Sequence, residues 1–285
     1  GATFWSEVSK YGKNHLNVFY DQTFLSILGL MAWGLGYFGQ PHIIVRFMAI
    51  RSSKELAQAR RIGIGWMAIG LAGAMMSGLI GFVYYSELNL PLADPEKVFL
   101  QLGETLFHPF FVGIIISAVL SAIMSTISSQ LLVSASSVTQ DFVFAFYKKE
   151  ISQKAQVAAG RYAVVAVALV ATVLAFSFNE SVLNVVGYAW AGFGASFGPV
   201  LLFSLYWRRM SALAALLGMI TGGATVIAWI ALGLNSYVYE ILPGFAVSCV
   251  VIYLTSLYGD AIDKMSNEPN SATVQDEFEK MKTRL

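Results

Sequence analysis

The sequence predicts an all-α polytopic membrane protein, and three observations lead to this fold class. Hydrophobic residues make up 56% of the 285 residues and charged residues 12%, about half the charged fraction of a soluble domain. The mean hydropathy is +0.64. The charged residues cluster between apolar stretches long enough to cross about 30 Å of hydrocarbon as helices. The net charge of +1 gives no reason to expect a nucleic-acid partner, and the single cysteine, Cys249, excludes an intrachain disulfide.

Seven apolar stretches are expected to span the lipid bilayer. In chain order they are Phe24–Met48, Ile62–Tyr85, Pro109–Val138, Tyr162–Phe178, Val182–Trp207, Ala212–Leu234 and Tyr237–Leu257. The connection Ser86–His108 is too long for a tight turn and contains Leu-Pro and Asp-Pro breaks. We expect it to form a short helix packed over the outer face.

Basic residues set the expected orientation, because connections rich in Lys and Arg stay in the cytoplasm. The first, third and fifth connections carry most of them: Arg46, Arg51, Lys54, Arg60 and Arg61; Lys148, Lys149, Lys154 and Arg161; Arg208 and Arg209. Residues 1–23 are therefore expected outside the membrane. The polar tail, residues 259–285, is expected in the cytoplasm as a solvated segment.

The first span contains a break, since Ala32–Arg46 reads AWGLGYFGQPHIIVR. Glycines followed by Pro41 form helices poorly, and irregular backbone at membrane depth is tolerated only where it lines a protein-enclosed cavity. At helical spacing Trp33, Tyr37, Gln40 and Pro41 fall on one face, which makes them candidate substrate-binding residues. Ordinary glycine-mediated packing with interfacial aromatics would produce the same pattern. His42 and Arg46 follow at the inner end.

A run of hydroxyl residues without formal charge, Ser117–Ser137, lies in the third span and is called the hydroxyl stripe below. Within it Ala122, Ser125 and Thr126 share about 100° of helix surface, so a carbonyl freed by a local bend would lie beside two hydroxyls. Hard cations prefer oxygen ligands, and neutral ligands hold a monovalent ion weakly enough to release it. These three residues are the candidate Na⁺ site. The alternative is that the hydroxyls bond to their own helix backbone or join helices.

Two further patterns in the fifth span have simpler interpretations. Residues 194–198 match the G-x-S-x-G nucleophile pattern, but they lie inside an apolar span away from every histidine. An intramembrane hydrolase is therefore disfavoured, and close helix packing through Gly192, Gly194 and Gly198 is expected instead. The nearby Tyr188, Trp190 and Phe193 indicate an interfacial aromatic belt or part of an outer gate.

Three segments together resemble the sodium/solute symporter family. They are WGLGYFGQPHIIVRFM (Trp33–Met48), SAIMSTISSQLLVSASSVTQDF (Ser121–Phe142) and VGYAWAGFGASFGPVLLFSLYWRRM (Val186–Met210). The resemblance implies a leucine-transporter-like fold of two inverted five-helix repeats, with sodium and substrate bound midway. It places sodium at Ala122, Ser125 and Thr126, and substrate at Trp33, Tyr37 and the Gly39–Pro41 break.

The resemblance also implies a domain organisation and an activity. Residues 24–207 correspond to the second inverted repeat and residues 208–258 to two peripheral helices, so an N-terminal half with the remaining ligands is expected elsewhere. The expected activity is Na⁺-coupled symport of a small solute, L-proline, in a bacterial inner membrane, with no enzymatic reaction. The alternative function is a transporter-like membrane sensor or interaction module without transport.

Overall fold

The computed structural model describes residues 17, 19–20, 22–88, 90, 94–143, 152–177 and 181–266, and the regular elements in these ranges are helical. The α-helices are α1 (Phe24–Gly36), α2 (Pro41–Met48), α3 (Leu56–Glu87), α4 (Val98–Leu106), α5 (Pro109–Ser136), α6 (Gln153–Ser177), α7 (Val182–Tyr206), α8 (Ala212–Ala231) and α9 (Ile241–Ser266). Short 3₁₀ turns occupy Tyr37–Gly39, Ser53–Glu55, Pro95–Lys97 and Leu234–Ser236, and a π-helical turn, Ser137–Val143, follows α5.

The predicted spans correspond to observed helices. Within the described ranges six helices are long and apolar enough to cross a membrane, and the first predicted span is a shorter apolar helix, Phe24–Gly39, followed by α2. The polytopic all-α prediction is therefore confirmed. The expected short helix between the second and third spans is α4.

The predicted boundaries differ most from the observed ones at three helices. The second span begins at Leu56 rather than Ile62, and the fourth at Gln153 rather than Tyr162. Helix α9 begins at Ile241 and continues to Ser266, so the first part of the predicted polar tail is helical. The rest of that tail, residues 267–285, lies outside the described residues, as do residues 1–16 of the predicted outer segment. The division into an inverted repeat and two peripheral helices stays a prediction.

The chain divides into two compact units. The first unit comprises Gly1–Asp21 and Arg51–Val170, and it contains α3, α4, α5 and most of α6. Helix α4 packs against α3, where Gly81 leaves room for the Val98 side chain. Long apolar side chains on α3 and α5 are exposed, among them Trp66 and Phe110. Such a surface suits the hydrocarbon of a bilayer or another apolar element.

The second unit comprises Gln22–Ile50 and Ala171–Leu285, and it is built around α7. Helix α7 packs against α1, α8 and α9. Side-chain hydroxyls of Thr23, Ser181 and Ser211 accept hydrogen bonds from first-turn amides and so begin α1, α7 and α8. The buried core joins all four helices through Ala32, Ala191, Ala195, Val226 and Ile241.

Glycines on α7 allow this close packing at two of the three predicted positions. A Cβ added at Gly194 would lie 2.8 Å from the Cα of Gly36. A Cβ added at Gly198 would lie 2.8 Å from the ring of Phe245 on α9. The prediction was wrong for Gly192, where no described atom lies within 4 Å of an added Cβ. Gly192 points away from the helix contacts, whereas Gly194 and Gly198 are buried in them.

Candidate functional site

The first span is interrupted at the predicted residues. Helix α1 ends at Gly36, one 3₁₀ turn follows, and Gln40 then adopts an extended conformation with φ −83° and ψ 111°. Pro41 occupies the first turn of α2, where its missing N–H leaves no hydrogen bond unmade. Residues 37–40 are called the break below.

Four aromatic side chains meet beside the break and are called the aromatic cluster: Trp33, Tyr37, Trp190 and Tyr239. Trp33 stacks on Trp190, with ring centroids 5.6 Å apart, and on Tyr239, at 5.9 Å. Tyr37 meets Trp190 edge-on at 4.8 Å. Offset stacking and edge contacts are the favoured geometries of aromatic pairs. The cluster therefore joins α1, the break, α7 and the connection before α9.

Hydrogen bonds hold the break and the aromatic cluster in place. The indole Nε1 of Trp190 donates to the carbonyl oxygen of Trp33 at 2.9 Å. The buried Gln40 side-chain amide donates a longer hydrogen bond, from Nε2 to the Trp190 carbonyl oxygen at 3.4 Å. The Tyr239 hydroxyl donates to the Gly187 carbonyl oxygen at 3.0 Å. Two of the four rings, Trp190 and Tyr239, are thus bonded to a neighbouring backbone rather than packed by apolar contact alone.

Glycine is required at two positions of this contact. A Cβ on Gly36 would overlap the Trp190 indole, and one on Gly39 would overlap the Phe193 carbonyl oxygen. Neither glycine has a positive φ. The requirement is therefore the close approach of two backbones, and it brings the break directly onto α7.

A cavity of about 650 Å³ opens at one end of the second unit. The starts of α1 and α7 and the connection before α9 line it, through Gln22, Leu25, Ser26, Gly29, Leu30, Trp33, Leu183, Asn184, Gly187, Tyr188 and residues 235–240. Of the predicted substrate residues only Trp33 lines it. Tyr37 and Gln40 contact Trp190 instead of lining the cavity, and Pro41 lies in the first turn of α2.

The three residues of the candidate Na⁺ site lie on α5 in the first unit. Thr126 Oγ1 donates to the Ala122 carbonyl oxygen at 3.2 Å. The Ser125 hydroxyl makes no hydrogen bond within the described chain, and all three residues are exposed. Since a carbonyl has two lone pairs and a donating hydroxyl keeps its own, these oxygens can still accept a cation. The donor set of neutral oxygens fits sodium.

Most other hydroxyls of the stripe follow the alternative interpretation. Ser117, Ser121, Ser128 and Ser129 each donate to a carbonyl of their own helix, at 2.7–2.8 Å. Such bonds satisfy the hydroxyl without an ion or a neighbouring helix. Ser125 differs from these residues because its oxygen is not engaged.

The sequence did not identify three residues of the second unit as site residues. Trp190 was assigned to a belt or an outer gate, but it lies in the contact between α7 and the break. Tyr239 and Glu240 carried no signal, because they stand in a connection whose position depends on how α9 packs. A helical plot of α7 with Gly194 facing inward would have placed Trp190 near the same face.

Known relatives are named as proline transporters. The high-affinity proline transporter PutP of Bacillus subtilis is 52% identical over 90% of this chain and 54% of its own length. Sodium/proline symporter 2 of Staphylococcus saprophyticus is 48% identical over 90% of this chain and 52% of its own length. The osmoregulated proline transporter OpuE of Bacillus subtilis is 46% identical, with 90% and 52% covered.

The chain thus spans about half the length of the curated relatives it matches. No solved structure matches it. The family model of the sodium:solute symporters matches residues 5–222, which include the break, the hydroxyl stripe and the whole of α7. The chain belongs to the sodium:solute symporter family.

Proposed function

We propose that this chain is the C-terminal half of a Na⁺-coupled symporter that carries L-proline by alternating access. The observation that carries the proposal is the broken first span fixed against an aromatic cluster, in a chain whose relatives are named proline transporters. Interrupted helices are typical of transporter binding sites. The other half of the transporter is the partner that this function requires.

The proposed substrate site uses the aromatic cluster and the break. The pyrrolidine ring of proline is apolar and packs beside Trp33 and Tyr37. The break supplies polar groups for the charged end of the substrate, with Gln40 and the backbone before Pro41 nearest to it. The sequence supports the residue types, and the contacts among Trp33, Tyr37 and Gln40 through Trp190 support their proximity.

The proposed sodium site is the Ala122 carbonyl oxygen with the Ser125 and Thr126 hydroxyls. Three neutral oxygens are fewer than a sodium ion needs, and the missing ligands come from the N-terminal half. Sodium is a co-transported substrate here rather than a resident cofactor. Its binding from outside stabilises an outward-open state, proline then binds, and both are released inward.

The proposed location is a bacterial inner membrane, with the start of α1 outside and the end of α9 in the cytoplasm. The basic connections support this orientation. The leucine-transporter-like repeat, residues 24–207, with two peripheral helices, residues 208–258, belongs to the same proposal. The orientation is tested by cysteine substitutions in the connections at residues 51–55 and 234–237, labelled in intact cells. Only cysteines in the second connection should react with a reagent that does not cross the membrane.

The function is tested by uptake of labelled L-proline into vesicles that contain the complete transporter. Uptake should require an inward Na⁺ gradient and collapse when potassium replaces sodium. Proline uptake that is equally fast without sodium, or no uptake of proline under any ion gradient, would overturn the proposal.

A further inference from the structure

The cavity at the start of α1 contains an acidic group that the proposed function does not use. Glu240 stands immediately before α9 and lines the cavity, yet only 2% of the residue is exposed. Its Oε1 atom has no hydrogen-bond partner within the described chain. A buried carboxylate oxygen without a partner is costly, so a ligand that donates a hydrogen bond to it would gain binding energy there.

The remaining lining gives the cavity a defined chemical preference. Within the described part of the chain, Glu240 is the single charged residue of the lining, and Lys, Arg and His are absent from it. Amide and hydroxyl groups of Gln22, Ser26 and Asn184 supply neutral polar contacts. Trp33 and Tyr239 supply aromatic surface, and the bond from Tyr239 to Gly187 fixes one of these rings.

An acid beside aromatic rings is a favourable environment for an organic cation. The carboxylate provides the opposite charge, and the stacked rings of Trp33 and Tyr239 provide apolar walls for the carbon atoms around the cation. A cation beside Glu240 favours the carboxylate form of its side chain. The volume of about 650 Å³ lies in the range of small-molecule sites.

We propose that this cavity binds the ammonium group of a small organic cation, with Glu240 as its counter-charge and Trp33 and Tyr239 as its walls. The identity of the ligand as proline, whose ring nitrogen is a secondary ammonium, rests on the proposed function. Because Trp33 belongs both to the cavity and to the proposed substrate site, the cavity is the place where the ammonium group is recognised.

The test compares two ligands that differ in the ring atom that carries the positive charge, and a third ligand that is a simple ammonium ion. The complete protein is reconstituted in nanodiscs, and affinities are read from ligand-dependent shifts in melting temperature. The ligands are L-proline, its uncharged-ring analogue tetrahydrofuran-2-carboxylate, and tetramethylammonium. Glu240→Gln should weaken L-proline at least about tenfold, the effect of one charged hydrogen bond, and change the analogue less than threefold. Glu240→Asp should keep part of the preference.

The controls separate a charge effect from a folding effect. Glu104→Gln makes the same chemical change at an exposed residue outside the cavity lining and should leave all affinities unchanged. Equal weakening of proline and its analogue in Glu240→Gln would mean a structural role and would overturn the proposal. Proline affinity within threefold of the wild type would also overturn it.

The outcomes distinguish this inference from the proposed function. Sodium-dependent proline uptake with unchanged affinity in Glu240→Gln would refute the cavity but leave the function. Tetramethylammonium binding that depends on Glu240, with no binding of proline, would refute the function but leave the cavity. If neither ammonium compound shifts the melting temperature of the wild type, the cavity proposal fails.

Discussion

At the scale of single residues, a substitution of Thr126 is the most direct test of the proposed ion site. Its hydroxyl already lies 3.2 Å from the Ala122 carbonyl oxygen, so two of the three proposed ligands are held together before any ion binds. The residue is exposed, and its hydroxyl bonds only within α5. Loss of the hydroxyl should therefore affect ion binding more than folding.

Thr126→Val should raise the sodium concentration that half-saturates proline uptake by at least about tenfold, because one oxygen ligand of the cation is lost. The melting temperature should change little. Thr225→Val is the matched control, since Thr225 makes the same type of bond to its own helix at 2.7 Å but lies on α8. An unchanged sodium affinity in Thr126→Val would remove this site.

Trp33 is the residue that links the cavity to the break. Trp33→Ala should weaken proline affinity at least about tenfold, because an aromatic wall and its stacking contacts with Trp190 and Tyr239 are lost together. Trp33→Phe keeps a ring and should lose less. Trp66→Ala is the control, because Trp66 is 79% exposed and makes no ring contact in the described chain. Equilibrium binding of labelled proline measures all three, and unaltered affinity in Trp33→Ala would contradict the assignment.

At the scale of helices, the break is held by the fit between two backbones. Gly39→Ala should lower stability by about 1–3 kcal/mol, because its Cβ would overlap the Phe193 carbonyl oxygen. Gly34→Ala is the matched control on α1: no described atom lies within 4 Å of its Cβ, and alanine favours a helix by up to about 1 kcal/mol. Melting temperatures in detergent provide the comparison. Equal melting temperatures of the two variants would mean that the close contact is not needed.

The helices and the break followed from the sequence, whereas the partners of the break did not. Glycine and proline weaken a helix through their own backbone, so the interruption near Gly39 and Pro41 is a local effect that can be predicted. Trp190 lies far away in the chain and reaches the break only because α7 packs against α1. The sequence around a single aromatic or acidic residue does not indicate such a distant contact. It therefore did not predict that Trp190 and Glu240 belong to the site.

At the scale of the whole molecule, the proposed sodium and substrate residues belong to different compact units of the chain. Ala122, Ser125 and Thr126 lie in the first unit, and the aromatic cluster lies in the second. Periodicity and composition place each set on its helix but cannot predict this division, because it depends on contacts between distant segments. Coupled transport then requires that the two sites influence each other energetically.

Coupling makes a quantitative prediction for the complete transporter. The factor by which saturating sodium raises proline affinity must equal the factor by which saturating proline raises sodium affinity, since the two describe one coupling free energy. Binding of labelled proline at varied sodium, and of labelled sodium at varied proline, measures both. Factors that differ beyond error would mean that the two ligands do not share one coupled equilibrium.

The paired hydrogen bonds between Trp190 and the break have a mechanical consequence. Trp190 donates to Trp33, which precedes the break, and accepts from Gln40, the last residue of the break. Helix α7 is therefore bonded to the first span at both ends of the interruption. Bending at residues 37–40 would strain both bonds and the tight Gly36–Gly194 contact together. In the proposed transport cycle, a change of angle at residues 37–40 would therefore also have to lengthen or break the hydrogen bonds of Trp190.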